Sequence, residues 1–402
     1  MSQPSTSVIT RERSDRGICF CDRRMKSRFL AALVMTGVLS TSAIAQQQQP
    51  KSLKEAFASS FMIGAALNAD QFSGTDVAGA ALVKAQFNTI TPENVLKWEE
   101  IHPQPTTYNF GPADRYVAFG EANKMFVVGH TLVWHSQTPR WVFQDADGKP
   151  LTRDALLARM REHIFTVVGR YKGRIKGWDV VNEALNEDGT LRKSPWFNIV
   201  GEDYIAQAFK FAHEADPAAE LYYNDYNLEV PAKRDGAVAL VKRLKAQGVT
   251  IHAVGSQAHD KIDLPRSAAL HDSSITALAA AGVKVNITEL DVDVLPRVTQ
   301  NRTADVSLSV QQQAAANPFA AGLPDSVQQK LTKRYVDLFT VFLKHRDVID
   351  RVTLWGVGDG DSWLNNWPMR GRTNYPLLFD RRDMPKPAYD AILRLIRPGP
   401  AA

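Results

Sequence analysis

From residue 61 to residue 357 the chain alternates short apolar runs with longer stretches of helical periodicity. The apolar runs read as strands: FMIGAAL (61–67), FNTIT (87–91), FVVGHTL (126–132) and IKGWDVVNE (175–183). The series continues with ELYYNDYN (220–227), IHAVGSQAH (251–259), KVNITELDV (284–292) and RVTLWGV (351–357). Between them lie amphipathic segments, among them 112–124, 153–171, 202–214, 232–247, 267–281 and 325–346. Thr152 is a start signal for such a helix, and Gly248 and Gly282 are stop signals. Eight strands, each followed by a helix, over about 350 residues argue for an α/β fold with a single (β/α)8 TIM barrel rather than a doubly wound sheet. No interdomain linker and no internal repeat interrupts this order. The one long irregular piece, 293–324, follows the seventh strand and reads as an expanded loop on the C-terminal face of the barrel.

Composition agrees with a globular chain that has a sizeable core: 44% hydrophobic and 23% charged among 402 residues. The formal charge of +5 would suggest an anionic partner if it were spread over the fold. It is not. Residues 1–45 carry Arg11, Arg13, Arg16, Arg23, Arg24, Lys26 and Arg28 against Glu12, Asp15 and Asp22, which leaves the remainder at +1. Nucleic-acid binding therefore has little support. The basic N-terminus instead resembles an export signal. From Met25 it has Lys26 and Arg28, an apolar run Phe29–Leu39, and Ala43-Ile44-Ala45 as an A-x-A cleavage site. That run is too short to span a bilayer as a helix of the mature chain. Residues 1–45 are thus expected to be an N-terminal extension and signal peptide, with 46–402 the catalytic domain, secreted after cleavage near Ala45-Gln46. Both cysteines, Cys19 and Cys21, precede that point, so the mature chain would hold neither disulfide nor thiol chemistry.

The fourth strand poses the chemical question. Gly177–Asn182 reads as a strand for a buried sheet, yet it ends in an amide and an acid, Asn182 and Glu183. In a (β/α)8 barrel the active site lies at the C-terminal ends of the strands, so polar residues there project into a shared cleft. The other strand ends agree. The second runs into Glu93, Asn94 and Lys97; the third into His130, Trp134, His135, Gln137 and Trp141. The fifth gives Tyr223 and Asn224, the sixth Gln257 and His259, the seventh Glu289, the eighth Trp355 and Trp363. Acids and amides bond hydroxyls, and indole rings pack on the flat apolar faces of pyranoses. A sugar ligand suits this set. Glu183 and Glu289 stand at matched positions three βα units apart and can face each other across one glycosidic bond.

Bland alternatives exist for each group. A lone strand-end Glu is more often a cap or an ion-pair partner. His130, His135 and His259 could ligate zinc, but there is no H-E-x-x-H run and no cysteine in 46–402, so no metal and no cofactor is expected. Trp98 is core or groove-lining, and Trp141 could be plain core. Asn286-Ile287-Thr288 matches a glycosylation sequon inside a buried strand; Asn301-Arg302-Thr303 matches one in the long loop.

The segments TPENVLKW, GHTLVWHSQTPRW, WDVVNEAL, YYNDYN, GSQAH, ITELDV and WGVGDGDSW resemble, in order and spacing, the family 10 glycoside hydrolases, the endo-β-1,4-xylanases. The likeness runs from about residue 53 to 396. It implies a (β/α)8 barrel and endo-hydrolysis of xylan with retention of configuration. It implies Glu183 as acid/base, Glu289 as nucleophile, Asn182 on the sugar 2-hydroxyl and His259 behind Glu289. Glu93, Asn94, Lys97, His130, Trp134, Gln137 and Gln257 would bind sugars on the non-reducing side, and Trp355 and Trp363 would exclude a hydroxymethyl group. The partner is then xylan or a xylo-oligosaccharide, for a monomer with no membrane contact in its mature form. The length of 293–324 departs from the family pattern and bears on the aglycone side. Other retaining barrel glycosidases, cellulases and mannanases, are near rivals. A non-catalytic sugar-binding barrel is a distant one, because both acids remain. A barrel acting on phosphorylated metabolites fits poorly, since Asp359 and Asp361 flank the glycines after the eighth strand and would repel phosphate.

Overall fold

The computed structural model describes residues 52–263, 268–296 and 315–396. The expected signal peptide, its cleavage point, both cysteines, Asn301 and the 297–314 part of the long segment lie outside the described residues.

Nine parallel strands carry the fold: β1 (Met62–Leu67), β2 (Thr89–Pro92), β3 (Phe126–Val133), β4 (Gly177–Asn182) and β5 (Glu220–Asp225) come first. They are followed by β6 (Ala253–Ser256), β7 (His259–Lys261), β8 (Lys284–Asp293) and β9 (Ile349–Leu354). Neighbours pair in chain order from β1 to β6. β6 then pairs with β8, β8 with β9, and β9 returns to β1 with Met62 opposite Arg351. This closes an eight-stranded parallel barrel and leaves no free edge. β7 stands outside the ring. It is a three-residue strand that pairs only with the outer end of β8, His259 opposite Asp291. The seventh and eighth barrel strands are therefore β8 and β9.

Every residue of β4 is buried, as are five of six in β1 and β5, because helices cover the outside and side chains fill the inside. The interior near the N-terminal end holds Arg351, whose guanidinium lies 4.4 Å from the Tyr222 ring centre. Room for Tyr222 comes from Gly177: a Cβ there would stand 2.2 Å from its hydroxyl.

The helices anticipated by periodicity are present, among them Phe110–Ala122, Arg153–Arg170, Pro231–Ala246 and Asp325–Lys344. Thr152 caps Arg153–Arg170 by accepting from the Ala155 amide at 3.3 Å, and Leu156, Met160, Ile164 and Val167 form its buried face. Gly248 and Gly282 follow their helices at φ of 68° and 81°, the left-handed conformation that closes a helix most easily with glycine. The described ends of the segment 293–324 meet at the loop after β9. Arg372 donates to the carbonyls of Pro296 and Ala316, and the Tyr375 hydroxyl to that of Phe319.

Candidate active site

A cleft of about 1100 Å³ opens where the strands end. Its wall includes Glu93, Asn94, Lys97, His130, Trp134, Gln137, Asn182, Glu183, Gln257, His259, Glu289, Trp355 and Trp363. Thirteen of the seventeen strand-end side chains that the sequence points to are thus brought together, all but His135, Trp141, Tyr223 and Asn224.

Glu183 is the first residue past β4, and it leaves the strand with φ of 55°. That conformation costs a non-glycine residue energy and is kept where the surroundings impose it. Here they do so through its backbone amide, which donates to the Asn224 carbonyl at 2.8 Å. The carboxylate has a donor on each oxygen: the Trp134 indole on Oε2 at 2.9 Å, and the Gln257 amide on Oε1 at 3.1 Å. Asn182 Nδ2 adds a longer contact to Oε1, 3.3 Å.

Glu289, on β8, is buried and faces the same space. Asn224 Nδ2 donates to its Oε1 at 2.7 Å, and His259 Nε2 stands 3.1 Å from its Oε2. The Asn224 amide also reaches Asn182 Oδ1 at 3.0 Å, while its own Oδ1 accepts from Thr288 at 2.6 Å. Amides therefore bridge the two acids and fix both. His259 has a second carboxylate on its other nitrogen, Asp291 at 3.0 Å, and Asp291 accepts from the Trp363 indole at 2.8 Å.

The electrostatics follow from these contacts. Burial pushes the His259 imidazolium toward losing its proton, but Asp291 and Glu289 outweigh it and hold its pKa up at about 10. Burial also works against an ionised Glu289, yet the bond and charge of His259, with Asn224, bring it below the ordinary carboxylate value. At neutral pH Glu289 is thus an anion fixed beside a cation.

Also on the cleft wall, Lys97 donates to Gln137 Oε1 at 2.8 Å and to Asn94 Oδ1 at 3.2 Å, and lies 5.0 Å from the Trp134 ring centre. Burial lowers its pKa, and Glu289, Glu93 and Glu183 offset this in part. Burial, helped by the charge of Asp361, raises Glu93 to about 7 against the pull of Lys97. His130 is set by Asp179, 3.0 Å from its Nδ1, and meets the Trp355 ring edge-on at 5.5 Å.

Tyr223 is the correction. Its side chain is fully buried outside the barrel and absent from the cleft wall; its hydroxyl donates to Asp225 and accepts from the Ala184 amide. It cannot bind substrate. Residues 222 and 224 share the inward face of β5, so Asn224 is the one that reaches the site. Trp98 is core, stacked on His163 at 3.6 Å between ring centres, and Trp141 packs beside it. His135 lies outside the cleft wall, so the three histidines do not converge. No group of three or more metal-binding side chains occurs among the described residues.

Several lining residues escaped the sequence reading: Tyr226, Asp291, Asp293, Pro296, Trp367 and Arg372. Asp291 was within reach, because it lies two residues after Glu289 on the same strand and so on the same face.

The comparisons with known proteins point the same way. Residues 52–395 match the model of glycosyl hydrolase family 10. An endo-1,4-beta-xylanase A from Xylanibacter ruminicola is 45% identical over 372 residues, 92% of this chain and 99% of that one. A beta-1,4-xylanase from Dictyoglomus thermophilum is 44% identical over 348 residues, 85% and 90% of the two chains. Among solved structures, an endoxylanase retrieved from sugarcane soil metagenome superposes with a TM-score of 0.81 at 49% identity, over 87% of this chain and all of that one. A xylanase from Paenibacillus barcinonensis complexed with a conduramine derivative gives 0.77 at 40% identity, over 86% and 99%. With the family model spanning nearly all of the described residues and the barrel closed as above, this chain belongs to glycosyl hydrolase family 10.

Proposed function

We propose that the protein is an endo-1,4-β-xylanase that cleaves internal xylosidic bonds with retention of configuration, through a covalent glycosyl-enzyme. What carries this reading is the unequal setting of two glutamates on one cleft. Glu289 is an ionised carboxylate beside the His259 imidazolium, suited to attack an anomeric carbon. Glu183, with the Trp134 indole and the Gln257 amide on its oxygens, serves as the group that exchanges a proton with the leaving oxygen. In the first step Glu289 forms a bond to the anomeric carbon while Glu183 gives its proton to the departing sugar. In the second, Glu183 takes a proton from water, whose oxygen displaces Glu289. This chemistry needs a carboxyl separation of about 5–5.5 Å. Asn182, held by Asn224 and Gln257, would bond the 2-hydroxyl.

Xylan rather than cellulose or mannan is supported by the relatives named above and by the indole cover. Trp355 and Trp363, whose rings lie 6.3 and 5.1 Å from that of His259, would disfavour a hydroxymethyl substituent there. Glu93, Asn94, Lys97 and Gln137 then bind sugars on the non-reducing side. Export through residues 25–45 fits this role, since xylan is a polymer met outside the cell. No helix among the described residues is long and apolar enough to cross a membrane.

Replacing Glu289 with Gly is expected to abolish turnover of xylan, and azide to restore cleavage of an activated xyloside with inverted product. Reducing-sugar release from xylan, carboxymethylcellulose and mannan, measured side by side, checks the substrate. Full activity of Glu289→Gly would end the mechanism, and preference for either other polymer would end the substrate assignment.

A further inference from the structure

We infer that Trp367 is a stacking platform for a xylose unit beyond the pair whose linkage is broken, so that it sets the preference for longer chains; this rests on the xylan reading above. Trp367 is the one exposed Phe, Tyr or Trp side chain among the described residues, at 58%, whereas Trp355 is 8% exposed and Trp363 half-buried. A lone exposed apolar side chain is ordinary on a protein surface, so what marks Trp367 is its place on the cleft wall.

Its position is built. The His259 and Trp363 rings lie 5.1 Å apart, and the Trp363 and Trp367 rings another 5.1 Å, nearly parallel at 29°. An aromatic row thus runs from the residue that holds Glu289 out to the rim of the cleft, and Trp367 ends it on the cleft wall. One face of Trp367 is used by Trp363. The rest is free for the apolar face of a pyranose, the same chemistry the inner indoles offer. The backbone presents it firmly. The Trp367 and Asn366 amides both donate to the Trp363 carbonyl at 3.1 and 2.9 Å, and Asn365 is tied to Asp359, Arg372 and Arg381.

The test compares an aryl β-xyloside, xylotriose and xylohexaose with wild type, Trp367→Ala and Trp367→Phe. In Trp367→Ala the ratio of kcat/KM on xylohexaose to that on the aryl xyloside should fall about tenfold, the factor that 1.4 kcal/mol of lost binding gives. The loss should appear in KM and grow with chain length, and Trp367→Phe should recover most of it. An equal fall at every length would make Trp367 a mere buttress of Trp363 and overturn the proposal, as would no change in the ratio. A wild-type enzyme that ignores all xylo-oligosaccharides would instead overturn the substrate assignment itself. Circular dichroism of each variant checks that the fold is kept.

Discussion

At the residue scale, the pairing of Glu289 with His259 and Asp291 is the feature most exposed to test. His259 gains protons on folding, since its pKa stands at about 10 in the fold against an ordinary 6.5. Its stabilising contribution is therefore complete below about pH 6.5 and disappears as pH rises through 10. Replacing His259 with Gln leaves two buried carboxylates without their cation, at a cost of roughly 3 kcal/mol. The stability gap between wild type and variant in urea should be widest in mild acid and close near pH 10. Glu289 loses the charge that keeps it ionised, so the acid limb of the pH profile of kcat/KM should move to higher pH. An unmoved limb would mean that His259 only packs beneath the nucleophile. The two acids were legible in the sequence because a strand-end carboxylate has a definite place in a barrel. Tyr223 was not. β5 is buried on both faces, so polarity does not reveal which of Tyr223 and Asn224 points inward, and an aromatic ring looks like the better partner for a sugar.

At the scale of elements, the strands were read within three residues of their ends because their apolar runs are bounded by turns and polar stops. Besides several short turns of helix, two ten-residue helices were not among the named segments. Val77–Gln86, VAGAALVKAQ, is rich in alanine and has little contrast between its faces. Pro387–Ile396 follows a long loop in which nothing is periodic. That loop carries Trp363 and Trp367, and one buried ion pair fastens it. Lys386 donates to both Asp359 oxygens at 3.2 and 2.9 Å and to the carbonyls of Tyr375 and Leu377. Such a device is invisible in sequence, because its partners are 27 residues apart and Lys386 stands in no motif that would point to Asp359. Lys386→Met keeps the bulk but strands a buried carboxylate and two carbonyls, which should cost about 3–5 kcal/mol. Exposed pairs such as Arg161 with Glu214 should cost under about 1 kcal/mol when broken. Urea unfolding of Lys386→Met and Glu214→Gln decides this. Equal small losses would show that the loop is held by its other contacts.

At the scale of the whole molecule, the buried titratable groups combine into a dependence of stability on pH that no single residue states. Burial raises Glu93 to about 7, and Asp225 and Asp359 to about 6, despite the pull of Lys97, Lys233 and Lys386 respectively. Each binds more protons folded than unfolded between its ordinary and its raised value, so each lowers stability as pH climbs through that window. His259 acts in the same direction from about 6.5 to 10. Against them stand Glu289, lowered in the fold, whose contribution is present above the ordinary carboxylate value and lost only in stronger acid, and the half-buried His135 and buried His163, whose lowered values make stability rise with pH up to about 6.5. The lowered carboxylates of Asp114, Glu121 and Asp203 are solvent-exposed and screened, so they weigh little. Above about pH 7, where His135, His163 and the carboxylates no longer titrate, His259 governs, so the thermal midpoint should decline from about pH 7 toward pH 10. Glu93→Gln removes one destabilising contribution between about 4.5 and 7, so its curve should fall less or rise more than wild type there and run parallel to it above pH 7. Midpoints recorded by circular dichroism at fixed ionic strength, from pH 4 to 10, test both statements. A wild-type curve that rises from pH 7 to 9 would mean that groups other than the buried His259 cluster govern how this enzyme responds to its medium.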